Sequence, residues 1–119
     1  MKLLVVGMNP SNKPTKQKPS ATFKKLESWM DQLGVRYFSF INTFDEMGQA
    51  KLAKADLTRL CTVAKDYDKI IALGGFVSTA LNKCDVTHFK MPHPSPRNRL
   101  LNDKSFETYM IKQCRRYLK

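Results

Sequence analysis

Hydrophobic positions in this chain alternate between short continuous runs and helical repeats. Lys2 to Val6 is an unbroken run of β-branched and leucine residues closed by Gly7, the pattern of a strand buried on both faces of a parallel sheet. A polar, basic stretch from Asn12 to Pro19 follows. Ser20 can then cap a helix over Ala21 to Leu33, where Phe23, Leu26, Met30 and Leu33 recur at spacings of three and four, and Gly34 closes it. Val35 to Ile41 reads as a second strand stopping at Asn42-Thr43. The next helix covers Lys51 to Ala64, with Leu52, Leu57, Leu60 and Val63 on its apolar side. Ile70 to Leu73 is a third strand running into Gly74-Gly75, followed by a short helix over Phe76 to Leu81. Thr87 to Met91 is a fourth strand, and a last helix from Lys104 to Leu118 turns Phe106, Met110, Ile111 and Cys114 inward.

This alternation, without a repeat or a dividing linker, predicts a single α/β domain over residues 1–119. The expected architecture is a three-layer α/β/α sandwich with a central four-stranded parallel sheet and right-handed crossovers. Ligands of open α/β sheets bind outside the carboxyl ends of the strands. Walking off those ends gives Asn9, Asn42, Gly74-Gly75 and His93, so two amides and an imidazole are expected at one rim. Asparagines also start turns and caps for local reasons; their joint placement is what singles them out. His88, on the fourth strand, reads as structural.

Charge narrows the partner. The 119 residues carry 21 Lys and Arg against 10 Asp and Glu, a formal net charge of +11, which points to a polyanion and first to nucleic acid. The basic loop with Lys13, Lys16 and Lys18 falls on the rim edge, as do Arg97 and Arg99. The run before Gly7 is too short for a signal peptide and no stretch approaches a bilayer span, so an intracellular, soluble chain without a membrane partner is expected. That means cytoplasm or nucleoid, or host-cell cytoplasm for a viral protein. Cys61, Cys84 and Cys114 are odd in number, widely spaced and set in apolar patterns, and they read as buried reduced thiols.

The stretch Met91-Pro92-His93-Pro94-Ser95-Pro96-Arg97-Asn98-Arg99 is a rigid presenting loop. Its prolines fix their own φ and push Met91, His93 and Ser95 toward extended geometry. Together with the turn after the first strand, it carries a resemblance. Gly7-Met8-Asn9-Pro10-Ser11 resembles the first motif of the uracil-DNA glycosylase superfamily, and His93-Pro94-Ser95-Pro96-Arg97-Asn98 its second. Both are nearest to the single-strand-selective monofunctional branch, whose motifs read GMNPG and HPSPRN. Phe40-Ile41-Asn42-Thr43 and Ala72-Leu73-Gly74 resemble the intervening strand ends. The chain is shorter than typical members, and Arg99 stands where the nearest branch has proline.

The resemblance implies a monofunctional DNA glycosylase that flips uracil or a 5-substituted uracil out of single- or double-stranded DNA and hydrolyses its N-glycosidic bond, as in base excision repair. In that scheme His93 donates to the departing base at O2 and Asn9 positions the water. Asn42 reads the base edge, with Met8 and Ser11 beside it. Ser11 occupies the place where classical uracil enzymes have Tyr, which implies tolerance of substituents at C5. Phe23, or alternatively Phe44, stacks on the base, although the helical spacing of Phe23 equally fits core packing. Arg97 fills the vacated stack, while Ser95, Asn98, Arg99, Lys13, Lys16 and Lys18 hold the DNA backbone. The resemblance implies no metal, no cofactor and a monomer. Two alternatives stand beside it: a low-turnover or inactive DNA-binding reader of damaged or modified bases with the same fold, and another enzyme processing modified pyrimidines.

Overall fold

In a computed structural model of the chain, residues 2–7, 21–43, 54–94 and 98–119 are described. The order is β1 (Leu3–Gly7), α1 (Ala21–Gln32), β2 (Ser39–Asn42), α2 (Lys54–Ala64), β3 (Lys69–Leu73), α3 (Gly75–Lys83), β4 (Phe89–Met91), a 3-10 turn (Arg99–Asn102) and α4 (Lys104–Leu118). The four strands form one parallel sheet in the order β2-β1-β3-β4, the expected α/β architecture. From β1 the chain moves outward to β2, then reverses across β1 to β3 and on to β4. With right-handed crossovers, that reversal puts α1 on one face and α2 and α3 on the other.

Strand alternation supplies both cores. Leu3, Val5, Ile71, Leu73 and Met91 face α1 and α4, where Leu26, Trp29, Met30, Ile111 and Cys114 complete one buried cluster. Leu4, Val6, Ile70 and Ala72 face α2 and α3, against Leu60, Ala64, Val77, Ala80 and Leu81. Every residue of β1 is buried, as its continuous apolar run requires.

Strand ends differ from the sequence reading for identifiable reasons. The second strand begins at Ser39, because its first partner on β1 is Leu4, and the approach through Tyr37 is exposed. The fourth begins at Phe89, opposite Ile71. The preceding N–H on β3, that of Ile70, donates instead to the Tyr117 hydroxyl at 3.1 Å. His88 is engaged locally, 2.8 Å from Ser78 Oγ and 2.8 Å from the Val86 carbonyl, in keeping with a structural role. Helix α1 closes as its glycine suggests: Gly34 sits at φ 74°, Val35 N–H donates to the Met30 carbonyl and Gly34 N–H to that of Asp31. This double hydrogen bond satisfies carbonyls that the last helical turn would otherwise leave open.

The cysteine reading needs correction. Cys61 on α2 and Cys84 at the end of α3 form a disulfide, with Cα atoms 5.3 Å apart. The two helices pack side by side on one sheet face, and spacing along the chain carries no information about that adjacency. The pairing also removes the cysteine pattern as support for a reducing compartment. Cys114 is the free, buried thiol, and burial pushes its pKa up to about 12. Without reductant, native protein should therefore present no thiol to an alkylating reagent and one after unfolding. Cys61→Ser should lower stability by about 3 kcal/mol in urea titration, the chain-entropy value for a loop of this size. A native protein with three reactive thiols would refute this.

Candidate functional site

The rim is set by where the sheet changes direction. Ile41, Val6, Ala72 and Lys90 lie in one row across it, so Asn42, Gly7, Leu73 and Met91 form the row beyond. The helices that follow β1 and β3, α1 and α3, pack on opposite faces of the sheet, and in open α/β sheets such a reversal is where ligands bind, outside the carboxyl ends of the strands. Glycines stand at the end of β1 and just after β3. A Cβ on Gly7 would lie 2.9 Å from Asn42 Oδ1 and 3.1 Å from Phe40 Cζ, so the Asn42 amide rests over bare backbone at the end of β1. Gly74 has φ 95°, disfavoured for any residue with a side chain, and a Cβ there would lie 3.7 Å from that of His93.

Asn42 ends β2 with its amide against Gly7 of β1, and His93 lies two residues beyond β4 with its side chain against Gly74 at the end of β3, so both side chains turn toward the two central strands.

Each flank is braced. Thr43, fully buried, donates to the Gly7 carbonyl from both its backbone N–H, at 2.7 Å, and its hydroxyl, at 2.9 Å. Arg59 reaches from α2 to donate to the carbonyls of Asn42, at 3.0 Å, and Thr43, at 2.8 Å. These contacts tie the ends of β1, β2 and α2 together and hold the backbone that carries Asn42. Neither residue stands out in the sequence. Arg59 is one of two cations on a helix that also carries Asp56, and Thr43 reads as an ordinary strand-ending residue.

On the other flank, Pro94 is buried and anchors the loop, leaving His93 exposed. Gly74 N–H donates to the Met91 carbonyl at 2.8 Å, which holds the end of β3 against the start of the loop. Asn98 closes the loop with both ends of its amide. Its Nδ2 donates to the His93 carbonyl at 2.9 Å, and its Oδ1 accepts from Leu100 N–H at 3.1 Å, capping the 3-10 turn. Both ends of the Asn98 amide thus shape the loop. Although His93 is exposed by surface area, desolvation by the surrounding protein lowers its pKa from the ordinary imidazole value, favouring the neutral ring.

Phe23 lies edge-on to Phe40, ring centroids 5.8 Å apart, and packs against the α1/α4 core. That contact fits the core packing its helical spacing allowed. Arg99 is exposed in the turn after the loop. Met8, Asn9, Ser11, Lys13, Lys16, Lys18, Phe44, Ser95 and Arg97 lie outside the described residues. Among the described residues no group of His, Cys, Asp and Glu assembles that could hold a metal ion, and no helix is long and apolar enough to cross a membrane. In comparisons with known proteins, no family model matches the chain and no curated protein aligns with it significantly.

Proposed function

We propose that the carboxyl ends of β1 and β3 receive a pyrimidine flipped out of DNA and that the protein hydrolyses its N-glycosidic bond, as a monofunctional glycosylase of the uracil-DNA type. The observation that carries this reading is that the Asn42 amide lies against Gly7 and the His93 side chain against Gly74, at the carboxyl ends of the two central strands. The resemblance of the segments following β1 and β4 to the two glycosylase motifs supports it.

In the proposed reaction the bond between C1′ and N1 breaks and its electron pair leaves with the base. Water adds to C1′ and gives up a proton while the departing base anion takes one up at N1, both by way of solvent, so the products are free uracil and an abasic sugar. Negative charge grows on the departing base at O2, and a donor already aimed there stabilises the transition state more than the ground state. His93 fills that role as a neutral N–H donor. Asn42 pairs with the imide edge, and Asn9, two residues after Gly7 in the sequence, orients the water. No lysine falls in either motif to form an imine with the sugar, so strand cleavage is not part of the reaction.

The test is an oligonucleotide with a single uracil, single-stranded and as duplex, incubated with the full chain and then treated with alkali. Scission at the uracil supports the proposal, while tight binding with no abasic site would replace it with a reader of modified bases. Ser11→Tyr should shift cleavage away from 5-hydroxymethyluracil relative to uracil, since the ring would occupy space beside C5.

A further inference from the structure

Helix α4 divides cleanly around its circumference. At 100° per residue, Lys104, Ser105, Thr108, Tyr109, Lys112, Arg115 and Arg116 fall within a sector of about 140°. Every one of them is exposed. Ile111 and Cys114 are buried in the remaining arc, with Phe106, Met110, Tyr117 and Leu118 half-buried there. The exposed sector continues into Lys119 and contains no acidic residue. The acids of this segment are used elsewhere: Asp103 caps the helix, accepting from Ser105 and Phe106 N–H, and Glu107 faces α1.

Neighbouring α1 provides an internal comparison. Its exposed residues mix Lys24 with Glu27 and Asp31, the balance expected of a merely solvated helix. The α4 sector departs from that balance. Tyr109, 57% exposed, lies in it, and Lys104, Ser105, Thr108, Tyr109 and Lys112 line a shallow groove of about 440 Å³. Its upper end adjoins the turn holding Arg99, which follows the His93 loop.

We infer that the solvent face of α4 is a docking track for the phosphate backbone of a nucleic acid, distinct from the proposed base-binding site. Fifteen residues at 1.5 Å give about 22 Å of helix, enough to follow several successive phosphates. Lysines and arginines supply the charge, Ser105 and Thr108 can donate hydrogen bonds to phosphate oxygens, and Tyr109 offers a ring to a base or sugar. An anionic membrane fits less well. An interfacial helix must insert an apolar face, and that face of α4 is already packed against the sheet. The track does not depend on glycosylase activity, since backbone binding needs no excisable base.

The test measures anisotropy of labelled, uracil-free single-stranded and duplex DNA with the full chain across a salt series. Lys112→Glu with Arg116→Glu should weaken binding on the order of tenfold at low salt and reduce the salt slope by about one per cation removed. Lys65→Glu with Lys83→Glu makes the same change in net charge on the opposite side of the sheet and should have a clearly smaller effect. Both pairs are exposed, and matching thermal unfolding curves will verify that each variant folds. Equal losses from the two pairs would show a net-charge effect and overturn the track. So would an unaffected affinity, or loss of binding to phosphatidylserine vesicles without loss of binding to DNA.

Discussion

His93→Ala should lower the rate of uracil release by about 10²–10³-fold, the usual consequence of removing one donor aimed at developing negative charge. Affinity for uracil-free DNA should change little, because in the proposed reaction the ring meets the extruded base and not the backbone. The residue is exposed and its loop is held by Pro94 and Asn98, so the variant should fold as the parent does. Measuring kcat separately from KM decides the matter: a pure KM effect would mean that His93 only helps to bind.

The pH dependence sharpens this prediction. Desolvation lowers the His93 pKa below the ordinary 6.5, so the neutral donor persists through that value and the rate should show no inflection there. A rate that climbs as pH falls through 6.5 would mean that imidazolium is the working form. Linkage gives a second readout. The unfolded chain takes up the proton first, so the His93 contribution to stability is complete above 6.5 and declines as pH falls toward the lowered value. His93→Ala should remove that portion of the acid sensitivity.

The largest stability effect should come from Trp29→Ala. Trp29 is the sole tryptophan, fully buried between α1 and the sheet, and emptying its site should cost about 3–5 kcal/mol in urea titration followed by circular dichroism. Its indole N–H donates to Glu107 Oε1 at 2.8 Å, and Lys25 Nζ lies 2.8 Å from the same oxygen. Glu107→Leu would leave that N–H buried without its acceptor, with an expected loss of about 1–3 kcal/mol. Burial raises the Glu107 pKa, but hydrogen bonds from Lys25 and Trp29 and the charges of Lys25 and Lys104 outweigh it, and the net shift is downward. The contribution is therefore present above the ordinary carboxylate pKa and is lost as pH falls through the lowered one. In Glu107→Gln the acid limb of the stability curve should flatten. An unchanged limb would show that this carboxylate does not govern it.

Both effects involve residues whose visibility in the sequence differs. His93 stands out because three prolines surround it and a predicted strand precedes it, and those are local features. Trp29 sits one position before Met30 in a helix whose apolar repeat is legible, yet nothing in that repeat reveals Glu107, 78 residues away. Asn98 shows the same divide. The motif that contains it can be read directly, whereas its bond to the His93 carbonyl is a product of how the loop closes. Arg59 and Thr43 became visible only when α2 was seen lying beside the ends of β1 and β2.

By itself the sequence determined the α/β class, the elements and the inward faces of most of them, because burial imposes a period of two or 3.6 on neighbouring residues and that period is written locally. It also placed Asn42 and His93 at, or just beyond, the carboxyl ends of strands. Tertiary structure alone decided the order β2-β1-β3-β4, the Cys61–Cys84 pairing, the Trp29–Glu107 contact and the approach of Asn42 to Gly7 and of His93 to Gly74. Periodicity records that a face is covered but not what covers it. That choice is made when the helices and strands pack, through contacts between residues far apart in the chain.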